Sequence, residues 1–303
     1  MDELAVHAST IYALTYLGSF VVVSLLEFII PRRDAGDSLR LRWFGNVSIA
    51  ILNFLILRMI FPTLSIGVAA LSAKHGWGLF HSMSVPLAVE IMVTLIVLDA
   101  AIYAQHYLLH HVSILWRLHR AHHSDQNFDF TTGLRFHPLE GIIATAINLG
   151  VIAALGSSPA AVLIAQLTFT IEAFLGHANI QVPASVDLFL RRFVVTPDMH
   201  RIHHSEVMVE SQSNFGNIFS WWDRLFGTYI EQPSATHERM IIGLPDCRDR
   251  KWLTVPWMLL HPFLPASEET AEGHLTVVRQ RHEKAEQEQT AIEAASSEEG
   301  VQG

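Results

Sequence analysis

The chain has little cysteine and little charge. Its one cysteine, Cys247, has no partner for an internal disulfide. Asp, Glu, Lys and Arg make up only 16% of the 303 residues, whereas hydrophobic residues make up 50%. The sequence also lacks a glycine-rich loop that could cradle a phosphate. With a mean hydropathy of +0.30, this balance is typical of a membrane protein. We therefore expect a membrane environment and no nucleic-acid partner.

Five apolar stretches approach or exceed the length of about 17 to 25 residues that a helix needs to cross a bilayer. The first follows Asp2 and Glu3 rather than basic residues and has no small-residue cleavage site after it, so we expect a retained span and not a signal peptide. The sequence predicts an all-α fold, a multi-pass transmembrane helical bundle with four to five spans. The stretches are 11–30, 44–64, 85–105, 138–155 and 159–176.

Basic residues predict the orientation of these spans. Arg32, Arg33, Arg40 and Arg42 crowd the first loop, and the positive-inside rule places that loop in the cytoplasm. Alternation of the spans then puts Lys74 outside, and it puts both the histidine-rich segments and the C-terminus inside. We expect a bacterial inner membrane rather than the endoplasmic reticulum.

Histidine is the most informative residue type in the chain. Two copies of His-x-x-His-His stand far apart in the sequence, and a further pair has i, i+4 spacing; both spacings place imidazoles on one helical face. Neutral imidazole is a good ligand for iron, zinc, copper or nickel. Eight such ligands exceed what one zinc ion needs, so the sequence predicts two metals close together. The eight are His106 and His110, then His119, His122 and His123, then His200, His203 and His204.

Three further histidines are less clear. His137 stands directly before Pro138, which suits the first turn of a helix, so His137 either reaches the metals or caps that helix. His177 follows the fifth span on the same predicted side as the motifs, and we include both among the metal ligands. His111 also fits the spacing from His106, but His110 gives the better i, i+4 pairing.

Several polar residues near the motifs are candidates for orienting the ligands. Asp99 lies near the membrane, where an unpaired carboxylate is costly, so it holds a ligand histidine or bonds to Tyr103. Glu140 either has such a role or only complements a helix dipole. The sequence Thr196-Pro197-Asp198 favours the start of a short helix that carries the second triplet. The full set of candidates is Asp99, Glu140, Asp198, Asn214 and Asp223.

The order of these motifs resembles that of the fatty acid hydroxylase / sterol desaturase superfamily. The match continues through Arg-Phe-His-Pro-Leu-Glu, Gly-His-x-Asn, Asn-x-Gly and Trp-Asp-Arg-Leu-Phe-Gly-Thr-Tyr, and it runs from Asp99 to Tyr229. The resemblance implies an integral membrane di-iron oxygenase whose histidine boxes form a cytoplasmic, histidine-rich helical cap. Some members pair the isolated histidine with a second one, whereas Ala173 and Gln181 stand four residues either side of His177 here.

The resemblance also implies cofactors, a substrate class and a domain organisation. The expected cofactors are two iron ions and O2, with electrons from a separate reductase or redox carrier. The expected substrate is a lipid or sterol-like molecule at the cytoplasmic leaflet. We expect N-terminal transmembrane helices at 1–84, a catalytic domain at 85–262, and an acidic, disordered tail at 263–303.

Hydroxylation is the first choice of reaction, and desaturation, which uses the same oxidant, is the second. Two alternatives belong to other classes. A histidine-rich metal transporter would place ligands along a path through the membrane. A zinc-dependent lipid hydrolase would remain active without O2.

Overall fold

The computed structural model describes residues 3–61, 63–83 and 85–265, and that part of the chain is mainly helical. Strand pairing among these residues is limited to three isolated bridges. Short 3-10 helices occur at Leu79–Ser82, Phe130–Leu134, Arg250–Leu253 and His261–Phe263. The α-helices are α1 (Glu3–Ile29), α2 (Leu39–Ile60), α3 (Ser65–His75), α4 (Leu87–His111), α5 (Ser113–His123), α6 (Pro138–Leu155), α7 (Pro159–Gly176), α8 (Ala184–Leu190), α9 (Pro197–His203), α10 (Met208–Ser211), α11 (Trp221–Leu225) and α12 (Val255–Leu260).

Five helical stretches are long and apolar enough to cross a membrane, which confirms the predicted all-α bundle. They are His7–Ile29, Leu39–Ser82, Leu87–His111, Pro138–Leu155 and Pro159–Gly176. Large apolar side chains cover the outside of the bundle, as at Phe28, which is 87% exposed, and Met59, which is 84% exposed. Such an outward apolar face suits lipid as the surrounding solvent.

Local sequence signals set several helix ends. α6 and α7 each begin at a proline, and the Ser158 side chain caps α7 by accepting a hydrogen bond from the Ala161 amide. Both helices therefore have the predicted bounds. α4 continues to His111, so that one unbroken helix carries the first histidine pair. α2 begins at Leu39, and the expectation that the arginines at 40 and 42 lie in the first loop is wrong.

The two ends of the bundle differ in character. At one end, Gly78 has a φ of +93° and packs so closely on Gly156 that a Cβ at residue 78 would lie 2.1 Å from the Gly156 amide nitrogen. The Thr94 and Ser157 hydroxyls are hydrogen-bonded at 2.8 Å nearby. α4 and α7 run from this end, which also holds Lys74 in α3, to the opposite end, where the histidines lie.

The described residues up to Leu264 form one compact unit. The N-terminal helices and the histidine-rich region pack within it, because α1 and α4 both lie against α7. The division into domains at residues 84 and 262 stays a prediction. The acidic tail predicted at 263–303 lies, from residue 266 onward, outside the described residues.

Candidate metal centre

Nine of the ten predicted histidine ligands meet in two neighbouring clusters at one end of the bundle. Within each cluster the candidate ligand nitrogens all lie within 4.8 Å of one another. We call them the five-histidine cluster and the four-histidine cluster. The five-histidine cluster is His106, His110, His119, His123 and His203, and the four-histidine cluster is His122, His177, His200 and His204.

The short helices α5 and α9 serve both clusters because their histidines stand at i, i+3 and i+4. In α5, His119 and His123 belong to the five-histidine cluster, whereas His122 belongs to the other. α9 is capped as its sequence predicts, since the Thr196 side chain accepts a hydrogen bond from the Met199 amide. α4 contributes its histidines to the five-histidine cluster only, and the end of α7 contributes His177 to the four-histidine cluster only.

Three imidazoles of the five-histidine cluster are oriented in the same way. Each donates its Nδ1–H to an acceptor behind it, which leaves the Nε2 lone pair free for a metal. Their Nε2 atoms are buried and have no hydrogen-bond partner. The pairs are His106 with the Phe215 carbonyl at 2.9 Å, His119 with the Glu140 carboxylate at 2.7 Å, and His203 with the Ser213 carbonyl at 2.7 Å.

The four-histidine cluster has the same arrangement at its centre. His177 donates Nδ1–H to the Ala173 carbonyl at 3.0 Å, and its Nε2 lies 3.0 Å from Nε2 of His200 and 3.4 Å from Nε2 of His122. Three Nε2 atoms thus converge on one point. Neither ring nitrogen of the buried His204 has a hydrogen-bond partner. A proton shared by two of these imidazoles would leave the nitrogen lone pairs of the other imidazoles without a partner. One metal cation could accept the lone pairs of all four.

Burial keeps these imidazoles neutral. Desolvation, reinforced by neighbouring histidines, holds the pKa values of His122, His123, His200 and His204 well below 6.5. Desolvation also lowers the pKa of His177 to about 4 and that of His203 to about 3. At neutral pH the rings are therefore in the form that binds metal.

The donor sets of both clusters fit a transition metal. All nine candidate ligands are imidazole nitrogens, which suit iron, zinc, copper or nickel and do not suit magnesium or calcium. Aromatic rings enclose the clusters. Phe136 stacks on His122 with ring centroids 4.6 Å apart, and Phe215 lies 5.1 Å from His110. These contacts make the surroundings of the clusters apolar.

The structure places His137 outside both clusters, in contrast to its prediction as a ligand. Its Nδ1 accepts a hydrogen bond from the Leu139 amide at 3.2 Å, and its Nε2 donates to the Leu259 carbonyl at 3.2 Å. His137 is the N-cap of α6, which is the alternative that its position before Pro138 left open. His111 is also outside the clusters, with Nδ1 hydrogen-bonded to the Tyr107 carbonyl at 2.8 Å.

Two of the predicted orienting carboxylates act through a loop. Asp99 accepts hydrogen bonds from the Ile218 amide at 2.9 Å and the Trp222 indole at 2.9 Å. Asp223 accepts a hydrogen bond from the Phe215 amide at 2.7 Å. Both carboxylates therefore hold the segment whose Phe215 carbonyl orients His106.

Two more of the predicted orienting residues, besides Glu140, have structural partners. Asp198 pairs with Arg32 and Arg201. Asn214, whose φ is +53°, donates from Nδ2 to the Met199 carbonyl at 3.0 Å and so ties α9 to the following turn.

A buried ion network behind α5 was not found from the sequence. Arg42 of α2 is fully buried and binds Asp125 at 2.5 Å and Asp129 at 2.6 Å. Arg135, also fully buried, donates to the Ala121 carbonyl at 2.8 Å and to Asn46 at 3.1 Å. The network fixes the C-terminal end of α5 against α2. The one sequence feature that points to this network is the i, i+4 spacing of Arg42 and Asn46, which places both on one face of α2.

Comparison with known proteins agrees with this geometry. Residues 91–228 match the family model described as fatty acid hydroxylase, and all nine clustered histidines lie within that segment. The segment that carries the candidate metal centre is thus similar to the fatty acid hydroxylase family. No solved structure matches the chain.

Several curated relatives of the chain are named as hydroxylases or monooxygenases of lipids or sterols. An ornithine lipid hydroxylase of Rhizobium tropici is 25% identical over 73% of this chain and 68% of its own length. An alkylglycerol monooxygenase of Xenopus tropicalis is 24% identical over 74% of this chain and 48% of its own length. Methylsterol monooxygenase 1 of Rattus norvegicus is 28% identical over 46% of each chain. The chain thus spans about half the length of the two monooxygenases.

Proposed function

We propose that the protein is a membrane-bound, di-iron, O2-dependent oxidoreductase that hydroxylates a lipid or sterol-like substrate. The observation that carries the proposal is the pair of adjacent, buried, all-imidazole clusters with five and four candidate ligands. One such cluster could bind a single ion, whereas two neighbouring clusters could bind a pair of ions. The coarser assignment to lipid oxygenases is supported by the relatives, which are named as hydroxylases and monooxygenases of lipids or sterols.

The five-histidine cluster would hold one ion and the four-histidine cluster the other. Bound as an iron pair, the metals would supply the oxidising power that cleavage of an unactivated C–H bond requires, with O2 and two electrons as co-reactants. The chain fixes the ligands through acceptors behind them. Glu140 and the carbonyls of Phe215 and Ser213 hold the Nδ1 protons, so that Nε2 of each imidazole stays a donor to metal.

The surroundings of the clusters exclude water and select an apolar substrate. Phe128, Phe136 and Phe215 pack against the histidine rings, and all five spans present apolar surface to the membrane. A lipid in the adjacent leaflet would reach the clusters at the end of α4 and α7. We propose that this leaflet is cytoplasmic and that a separate redox protein delivers the electrons.

The geometry favours this function over the two alternatives. A transport path would place ligands at several depths of the membrane, whereas these histidines gather at one end of the bundle. A zinc hydrolase needs one metal with about three protein ligands, and nine converging imidazoles exceed that need.

The test is oxidation of membrane lipids by the full-length protein under 18-oxygen gas. The protein is expressed with iron, and lipids from cells with and without it are compared by mass spectrometry. We expect a lipid that has gained one 18-oxygen atom. This product should form only under 18-oxygen gas and only when both histidine clusters are intact. His204→Ala should abolish the product, whereas His75→Ala, at the opposite end of the bundle and stacked on Trp77, should retain it. A product that persists without O2, or with His204→Ala, would contradict the proposal.

A further inference from the structure

Two short helices near the metal centre expose large apolar side chains, although neither helix is long enough to span a membrane. α8 has 7 residues and α11 has 5, whereas a span needs about 20. We call the apolar surface of these helices and of the turn after α8 the α8–α11 face. Its residues, each between 39% and 68% exposed, are Val186, Phe189, Phe193, Trp221, Leu225 and Phe226.

Backbone hydrogen bonds join the two helices side by side. The segments after α8 and before α11 form an antiparallel bridge between Val194 and Phe219. The Ser220 amide donates to the Phe193 carbonyl at 3.3 Å, and the Ser220 hydroxyl donates to the Arg191 carbonyl at 2.7 Å. The exposed apolar side chains therefore form one contiguous surface, and a contiguous surface of this kind marks contact with a membrane or with another protein.

The polar side chains of the same two helices point into the protein. Asp187 and Arg191 are buried and paired with each other. Asp223 is buried and accepts hydrogen bonds from the amides of Phe215 at 2.7 Å and Gly216 at 2.9 Å. Segments that are apolar outside and polar inside suit a lipid environment, because charges at membrane depth need partners within the protein.

The contact between α11 and the span α4 shows the depth of the α8–α11 face. The Trp222 indole donates to Asp99 at 2.9 Å, and the Phe226 ring stacks on Tyr103 with ring centroids 5.3 Å apart. At a rise of 1.5 Å per residue, Asp99 and Tyr103 lie about 18 and 24 Å from Leu87, where α4 begins. Both distances are shorter than the hydrocarbon thickness of about 30 Å. α11 therefore lies beside the membrane part of α4.

The face lies closer to the bilayer centre than the histidines of α4 do. His106 and His110 are about 29 and 35 Å from the start of α4, at the level where the hydrocarbon ends. Asp99 also accepts hydrogen bonds from the amides of Ile218 at 2.9 Å and Phe219 at 3.1 Å. The bridged segments between α8 and α11 thus lie at the depth of Asp99. A water-soluble protein cannot reach this depth, whereas acyl chains surround it.

Two exposed arginines place the face near the lipid head groups rather than at the bilayer centre. Arg192 follows α8, and Arg224 lies in α11. The Arg224 guanidinium lies 3.9 Å from the centre of the Tyr229 ring and donates to the Ser220 carbonyl at 3.2 Å. Arginine extends its charge to the head groups while its stem stays among apolar groups. The face therefore lies within one leaflet, on the histidine side.

We propose that α8 and α11 are inserted in the leaflet at the histidine end of the bundle, where the acyl chains of phospholipids cover the α8–α11 face. Part of the region 184–229 then belongs to the membrane and not to an aqueous cap. The chain contacts the bilayer through this face in addition to its five spans. Insertion requires neither metal nor O2, so it holds or fails independently of the proposed oxidation.

The test measures lipid contact at single labelled cysteines of the full chain in phosphatidylcholine vesicles. Phe193→Cys and Phe226→Cys carry a bimane fluorophore, which is quenched by bromine on the acyl chains or by iodide in the buffer. We expect both probes to lose at least half of their fluorescence in brominated lipid and to be insensitive to iodide. Ile51→Cys, exposed on α2, is the lipid reference, and Arg239→Cys, exposed outside the spans, is the aqueous reference. The wild-type chain, whose Cys247 is buried, gives the background.

A matched control for depth is Ile114→Cys. Ile114 is apolar, 71% exposed and outside the spans, but it lies in α5, after the end of α4. We expect brominated lipid to quench this probe at least twofold less than the probe at Phe226. Unchanged circular dichroism shows that the labelled variants are folded. Three results would overturn the proposal: equal lipid quenching at Ile114 and Phe226, iodide quenching at Phe193 and Phe226, or protection of both from both quenchers, as under a second protein chain.

Discussion

The Glu140 carboxylate accepts a hydrogen bond of 2.7 Å from Nδ1 of His119, and both side chains are buried. Glu140 lies in the first turn of α6, whereas His119 lies in α5. The contact therefore joins a membrane-spanning helix to the histidine-rich end of the bundle. Carboxylate–histidine pairs of this kind fix the ring and raise its basicity as a ligand.

Removing this carboxylate should weaken metal binding without removing a ligand. We expect Glu140→Ala to lower metal affinity or oxidation by about 10- to 100-fold, the usual cost of losing such a partner. Glu140→Gln keeps an acceptor oxygen and should lose less. Metal titration with a competing chelator measures the affinity, and Glu231→Ala, at an exposed carboxylate, is the control. An unchanged affinity in Glu140→Ala would show that the contact has no role in binding.

Ligand variants in the two clusters should remove different metals. We expect two metals per chain in the wild-type protein and a loss of one in each of two variants, His119→Ala from the five-histidine cluster and His177→Ala from the four-histidine cluster. Elemental analysis against protein concentration measures the content. His111→Gln lies outside both clusters and should keep both metals. One metal or fewer in the wild type would refute the paired site.

Variants of His137 distinguish its role as the N-cap of α6 from a role as a metal ligand. As the N-cap of α6 it should contribute about 1 kcal/mol to the free energy of unfolding, so His137→Ala should lower thermal stability modestly and leave the metal content unchanged. His137→Asn supplies a capping oxygen in place of Nδ1 and should recover most of the stability. A fall in metal content in His137→Asn would instead make His137 a ligand.

Arg42 should be essential to the stability of the fold although it is far in sequence from the histidine motifs. Arg42→Met leaves Asp125 and Asp129 buried without their cation, and the loss of one member of a buried pair costs about 3–5 kcal/mol. We expect a large fall in thermal stability or no folded protein. The exposed Arg40→Met is the matched control. Combining Arg42→Met with Asp125→Asn and Asp129→Asn should recover part of the loss, because fewer uncompensated charges stay buried.

Features that depend on neighbouring residues were predictable from the sequence. Pro138, Pro159 and Ser158 mark helix starts because they act within one turn, and both helices have the expected bounds. The i, i+3 and i+4 spacing of His200, His203 and His204 likewise depends only on local helix geometry.

Features that depend on tertiary contacts were not predictable. The spacing does not say which imidazole joins which cluster, since this depends on how α5 and α9 face each other. Arg42 was expected in the first loop because the apolar stretch begins at residue 44, and its burial in α2 depends on Asp125, which is 83 residues away. Asp99 was expected to bond to a histidine or Tyr103, and its partners Ile218 and Trp222 lie more than 100 residues downstream.

Because α5 and α9 serve both clusters, we expect metal uptake to be cooperative. A metal in the five-histidine cluster would fix α5 through His119 and His123 and α9 through His203. α5 also carries His122, α9 carries His200, and His204 directly follows α9, so the ligands of the four-histidine cluster would be positioned at the same time. The entropy of ordering α5 and α9 would then be lost only once, with the first ion, and the second ion would bind to a site that is already ordered.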